Sequence, residues 1–129
     1  MVSMLPLRDR ELLEKLNEKA GENCAFAYCL YSGKEIEGYL LYDVTKDAAE
    51  IRFVSAPDAD HFDGLVRAVF SSLYDIHIGQ ARFGEKVDDA LLEKLSFVAP
   101  GERVTPSIAD ILYRCKHCRQ SGKTEKKGE

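Results

Sequence analysis

Four side chains with chemistry of their own fall within six residues. They are Asp58, Asp60, His61 and Asp63 in the stretch DADHFD. Three carboxylates and an imidazole this close could hold a divalent cation, Ca²⁺ or Mg²⁺ through oxygen alone, Zn²⁺ if His61 takes part. The spacing is not that of an EF-hand loop, and aspartates at a helix start commonly cap it, which is the simpler reading. A second candidate is CKHC at 115–118, where Cys115 and Cys118 flank His117. A single C-x-x-C is half of a zinc site, so a partner such as His61 or Cys24 would have to complete it. The plainer reading is that Cys115 ends a strand and Cys118 begins a tail. Cys24 and Cys29 lie in an apolar, strand-like run, and their odd separation predicts opposite faces. Glu50, in AEIRF with Arg52 two positions on, reads from its own surroundings as a solvated strand residue.

These residues need elements to position them. In RDRELLEKLNEKA, residues 8–20, Leu12, Leu13, Leu16 and Ala20 form one helical stripe, and Gly21 follows as a C-cap. CAFAYCLYSGKEIEGYLLYDV reads as strand, turn and strand, and AAEIRFVSA as a third strand after TKD. Short connections predict an antiparallel meander. Phe26 and Tyr28 are expected on one face, Tyr39 and Tyr42 on opposite ones. Glu50 is expected to alternate with buried Ile51 and Phe53. After Pro57, Leu65, Val66, Val69, Phe70 and Leu73 give the buried face of a helix. Residues 76–84 are expected to form a fourth strand with His77 on it. KVDDALLEKL predicts a short helix, and residues 105–115 a last strand. A helix between the third and fourth strands makes them parallel. The chain is therefore expected to be an α+β domain on one mixed sheet, residues 1–118, with a disordered polar tail at 119–129.

Bulk properties exclude some functions. With 129 residues the chain fits one domain that needs no metal or disulfide. A net charge of −4 gives no electrostatic case for nucleic acid or an acidic membrane surface. No apolar run has the length of a membrane span, and Pro6 and early charges are unlike a secretory signal, so a cytoplasmic address is predicted.

The order of elements, with AAEIRFVSAPD running into GLVRAVF, resembles the GNAT acyl-CoA N-acyltransferases, and LLEKLSF at 91–97 is similar to that family's FYEKLGF segment. The resemblance covers roughly residues 24–115. It implies a sheet splayed open between its central strands, with acetyl-CoA in the split and a small-molecule or peptide amine as acceptor. Carried over, it makes Glu50 the general base. Phe53, Val54 and Ser55 would hold pantetheine, and the amides of Gly64, Leu65, Val66 and Arg67 the pyrophosphate. The family's loop pattern Q/R-x-x-G-x-G/A keeps only Gly64 here, Val66 takes the last small position, and three aspartates stand where the anion would lie. The tyrosine of FYEKLGF, a general acid in many members, is Leu92 here, with Tyr74 and Tyr113 elsewhere. The front looks short, with one helix in place of a strand and two helices. Two readings of function follow: an N-acetyltransferase, or a binding module that has kept the scaffold and lost CoA. Aromatic residues left on a strand edge would make the latter a homodimer by strand pairing. A metal protein built on the C-terminal C-x-x-C is the lesser third.

Overall fold

The computed structural model describes residues 2–113. Cys115, His117, Cys118 and the 119–129 tail lie outside the described residues. The elements are β1 (Val2–Pro6), α1 (Arg10–Ala20), β2 (Phe26–Ser32), β3 (Glu35–Val44), β4 (Ala48–Ser55), α2 (Ala59–Asp75), β5 (Gln80–Phe83), α3 (Asp89–Lys94), β6 (Val104–Thr105) and α4 (Ile108–Tyr113). They build a six-stranded sheet in the order β1-β2-β3-β4-β5-β6. β1 to β4 are antiparallel, β4 and β5 are parallel across the α2 crossover, and β6 returns antiparallel. The expected α+β architecture, a meander followed by a helical crossover, is the one observed.

Each face of the sheet is covered because alternate strand residues are apolar on both sides. One face carries Leu30, Leu40, Tyr42, Ala49, Ile51, Ala81 and Phe83, against α2, α3 and α4. Helix α2 contributes Phe62, Leu65, Val66, Val69, Phe70 and Leu73. Each such side chain stabilises the fold by roughly 1.5–3 kcal/mol relative to exposure. The other face carries Ala27, Cys29, Tyr39 and Leu41 beneath Leu16 and Ala20 of α1. Phe26 and Tyr28 both pack on Tyr42, with ring centroids 5.4 and 6.5 Å away, and Tyr39 faces the opposite side, as their spacing predicts.

Three helices end in the same way. Gly21, His77 and Ser96 sit at φ 70°, 65° and 65°, in the left-handed region. Each N–H, and that of the next residue, returns to a carbonyl of the last helical turn, the paired bonds of a Schellman cap. This corrects two expectations. His77 is not on a strand: it caps α2, and β5 begins only at Gln80. Ile78 follows it into the core because its N–H bonds Leu73 O.

Other expectations are corrected as well. Residues 105–115 are not a strand: β6 stops at Thr105, and Ile108 and Ile111, three apart, turn a helical face to the core. The front is not helix alone, because β1 pairs with β2 along its whole length. Cys24 and Cys29 do not face opposite ways. Cys24 precedes β2, so alternation does not apply to it, and both thiols lie under α1. Burial pushes the Cys24 thiol up to about 12 and raises that of Cys29.

Two bulges shape the sheet. Between β2 and β3 the register passes from Leu30↔Gly38 to Tyr31↔Ile36, leaving Glu37 as the extra residue. Between β3 and β4 it passes from Leu41↔Phe53 to Tyr42↔Ile51, leaving Arg52 as the extra one. Arg52 breaks the alternation, so Ile51 packs with the α2 core and Phe53 with the α1 core. Beside the first bulge, a Cβ on Gly38 would lie 2.6 Å from the Ser55 carbonyl oxygen, so β3 and β4 would have to separate. Gly38→Ala is expected to cost about 1–3 kcal/mol. Gly79→Ala, with nothing within 4 Å of the new Cβ, should stay within about 0.5 kcal/mol. Urea denaturation of the two variants checks this, and equal stabilities would refute it.

Candidate active site

The parallel pairing of β4 with β5 lasts from Ala48↔Gln80 to Ile51↔Phe83. The last bond between them is Gly84 N–H to Ile51 O, 2.8 Å. Beyond it β4 continues to Ser55 beside β3 alone. Among the described residues, the outward backbone of Arg52–Ser55 has no strand partner. The sheet is therefore open between β4 and β5 from the Arg52 bulge onward.

Charged side chains gather at the mouth of the split. Glu50 is paired across the parallel ladder with Arg82. Its carboxylate lies 3.6 Å from Arg52 Nη1 and 4.0 Å from Arg82 Nη1. Arg52 Nε donates to Glu22 at 2.9 Å, and Lys86 Nζ approaches the other Glu22 oxygen at 2.8 Å. Lys86 also donates to the carbonyls of Ala20 and Gly21 at 2.7 and 3.1 Å, where a cation complements the helix C-terminus. Glu50, Arg52, Arg82, Phe83 and Gly84 line a hollow of 150 Å³. Glu22, Arg52, Gly84, Glu85 and Lys86 line a neighbouring one of 320 Å³.

The sequence positions each of these groups locally. The Gly21 cap throws Glu22 out of the α1 axis. Asn17, buried, then fixes the following turn by donating to Cys24 O at 2.9 Å and accepting from Cys24 N–H at 2.8 Å. Arg52 takes its place because the bulge turns it out of the alternation. Arg103 holds the segment after β5 by donating to the carbonyls of Phe83, Gly84 and Val87, and it pairs with Asp89. The hydrogen bond from Lys86, and then that from Arg52, outweigh the opposing effect of burial and hold the Glu22 carboxyl below its ordinary range.

The other expected residues are placed as follows. Phe53 stacks on Tyr39 with centroids 5.4 Å apart, and Val54 packs against the α2 core. Ser55 lines a hollow of 430 Å³ with Lys15, Lys19, Tyr39 and other residues between α1 and the sheet. Gly64, Leu65, Val66 and Arg67 are not at the start of α2. They begin at the sixth position of a helix that starts at Ala59, where amides are already bonded to carbonyls four residues back. Leu65 and Val66 are fully buried, and Gly64 lies against the Met4 side chain. Arg67 is engaged by Asp63 at 3.1 Å, by the Ile111 carbonyl at 3.1 Å, and by the Phe97 ring.

The start of α2 is occupied by Asp58, which accepts from the His61 N–H at 2.9 Å and lies 2.8 Å from His61 Nδ1. Bonding to that N–H, with the ring bond and charge adding to it, lowers the Asp58 carboxyl from its ordinary value. The capping reading of DADHFD is the one the geometry favours. Among the described residues no three His, Cys, Asp or Glu side chains are placed to hold a metal ion. Leu92 is buried inside the core, and the Tyr74 and Tyr113 hydroxyls bond each other at 2.9 Å beside the end of α2.

A solved structure of N-acetylglutamate synthase from Neisseria gonorrhoeae, complexed with coenzyme A and N-acetylglutamate, is similar to this chain with a TM-score of 0.50. The fold is GNAT-like. Identity to that structure is 13%, over 64% of this chain and 25% of that one, so the likeness is one of fold. No protein-family model matches the chain, and no curated protein matches it in sequence. In the GNAT-like sheet, the strand expected to carry Glu50 is β4, and the residues gathered around Glu50, namely Glu22, Arg52, Arg82 and Lys86, are not singled out by the sequence. For Glu22 the one signal is Gly21, whose helix-ending role aims the next residue.

Because the Glu22 carboxyl is held below its ordinary 4.5, its stabilisation is fully present above that pH and lost as pH falls through the lower folded value. Glu22→Gln is expected to cost roughly 1–2 kcal/mol at neutral pH. The gap from the parent protein should narrow as pH drops below about 4.5. Urea titrations at several pH values test this, and a gap independent of pH would refute it.

Proposed function

We propose that the split between β4 and β5 is the acyl-transfer site of an N-acyltransferase that uses acetyl-CoA and an amine, with Glu50 as the general base. The observation that carries this reading is the ladder left open from Arg52 to Ser55, immediately beyond Glu50 on the same strand. An amide-bearing arm such as pantetheine can pair with the outward N–H and C=O groups of Phe53–Ser55 as an added strand would. Bound acetyl-CoA would supply the acyl group as a thioester. Glu50 takes the proton that the acceptor's ammonium must lose before nitrogen can attack, and Arg52 and Arg82 fix the direction in which its carboxylate points.

The diphosphate end does not fit the residues that the sequence suggested. The amides of Gly64–Arg67 are spent inside α2, and at its start the Asp58 carboxylate takes the His61 amide and sets its charge where a phosphate would lie. The donor is then held mainly along β4. Asp58→Ser keeps the cap and removes the charge, so it should tighten acetyl-CoA binding.

The same capped helix supports a second reading, a module that binds no CoA. Such a module would associate through the outer edge of β1, where Val2 and Leu5 are 49% and 53% exposed and no charge guards the strand. Calorimetry and thermal stabilisation with acetyl-CoA separate the two. Ligand at 100 times its Kd should raise stability by about 2.7 kcal/mol. No response at millimolar acetyl-CoA, with a dimer in sedimentation, would establish the second reading. If acetyl-CoA binds, Glu50→Gln should lower kcat by about 10²–10⁴-fold while leaving its affinity nearly unchanged. Unchanged turnover would remove Glu50 from the mechanism.

A further inference from the structure

We propose that the acceptor is a free amino acid, bound with its carboxylate on Arg82 and Arg52 and its ammonium at Glu50. The proposal rests on the acyl-transfer reading above and names the substrate class of the same site.

The argument is one of charge and size. A simple amine, a lone cation, would meet Glu50 flanked by two guanidinium groups, Arg52 paired also with Glu22 and Arg82, among the described residues, with Glu50 alone. A simple anion would meet that carboxylate. A ligand carrying both charges within a few bonds answers Glu50 and Arg82 at once, and adds to the bond that Arg52 already makes with Glu22. Arg82 is able to take a new partner. Its side chain is 59% exposed, and its contact with Glu50, at 4.0 Å, is its one ion pair among the described residues. A planar guanidinium offers a paired donor edge to a carboxylate. The hollow lined by Glu50, Arg52, Arg82, Phe83 and Gly84 holds 150 Å³, about five waters' share of the liquid. The head group of an α-amino acid, one nitrogen, two carbons and two oxygens, is of that size. The side chain would extend into the adjoining 320 Å³ hollow beside Glu22, Glu85 and Lys86.

In the reaction, the ammonium gives a proton to Glu50 and the freed nitrogen pair forms the C–N bond to the acyl carbon. The C–S bond breaks with its electron pair on sulfur, and the second proton shed by the acylated nitrogen goes to that sulfur through solvent. No oxidant or reductant is needed, and acetyl-CoA is the only co-reactant.

The test compares L-alanine and L-glutamate with their α-amides on the full chain, by chemical-shift titration and by acyl transfer from acetyl-CoA. The free acids should bind at least about tenfold more tightly than the amides. Arg82→Gln should bring acid and amide within about twofold of one another, while Arg82→Lys retains part of the preference. Amides that bind or react as well as the acids would overturn the proposal, as would a preference that Arg82→Gln leaves intact. No shift at Arg52, Arg82 or Gly84 with tens of millimolar amino acid, with or without acetyl-CoA, would overturn it too. Amino acids that bind to a protein blind to acetyl-CoA would refute the transferase reading and uphold the binding site. Acylation of amides and acids alike would do the reverse.

Discussion

The extra residue in β4 is the constraint from which the rest of the site follows. Up to Ile51 the strand is an ordinary member of a mixed sheet, bonded on both sides. At Arg52 the register with β3 slips by one, the strand bends, and β5 is left behind. Three consequences come from that one slip. Ile51 goes to the core under α2 and Phe53 to the core under α1, so both layers are anchored across the bend. The outward backbone beyond the bend has no strand to satisfy it. The Arg52 side chain is turned toward the end of α1, where Glu22 receives it.

The charge cluster at the split can be understood as a consequence of the same geometry. A carboxylate as enclosed as that of Glu22, 9% exposed, would be costly alone. Here two cations from separate segments converge on it, and one of them also satisfies the carbonyls at the end of α1. The cluster thus ties α1, the β4 bulge and the segment after β5 into one arrangement at the mouth of the split. Glu50 stands next to it with its carboxylate directed by two arginines rather than by burial.

The aspartates at the start of α2 have a different effect. A helix N-terminus attracts anions through its unpaired amides and its dipole, and the chain's own carboxylates already answer that attraction. Asp58 takes the His61 amide, and Asp63 holds Arg67. The glycine and cation that look like parts of a phosphate loop are in fact interior parts of a helix. Gly64 is small because β1 crosses there and Met4 needs the room. The likeness to the N-acetylglutamate synthase structure is one of fold.

Much of the fold was legible in the residues because it rests on local rules. The stripes of α1 and α2, the alternating runs of β2 and β3, and Gly21 as a cap all depend on neighbours within a few positions. The expectation of a strand at 105–115 fails for a tertiary reason: Thr105 closes the sheet by donating to Phe97 O, and the next residues turn to cover the core. His77 and Ser96 hold left-handed caps usually given to glycine, so no residue type announced them. Glu50 could be named from the chain because AAEIRFVSAPD running into GLVRAVF resembles a family stretch with a glutamate at that place. Its partners could not. Glu22, Arg52, Arg82 and Lys86 are up to 64 positions apart, since 86 − 22 = 64, and only a bulge, a helix cap and a parallel crossover bring them together. The sequence by itself determined the layers, through short-range periodicity. Which charges meet at the split was decided by the tertiary structure, because a one-residue slip in register redirects side chains that no local pattern relates.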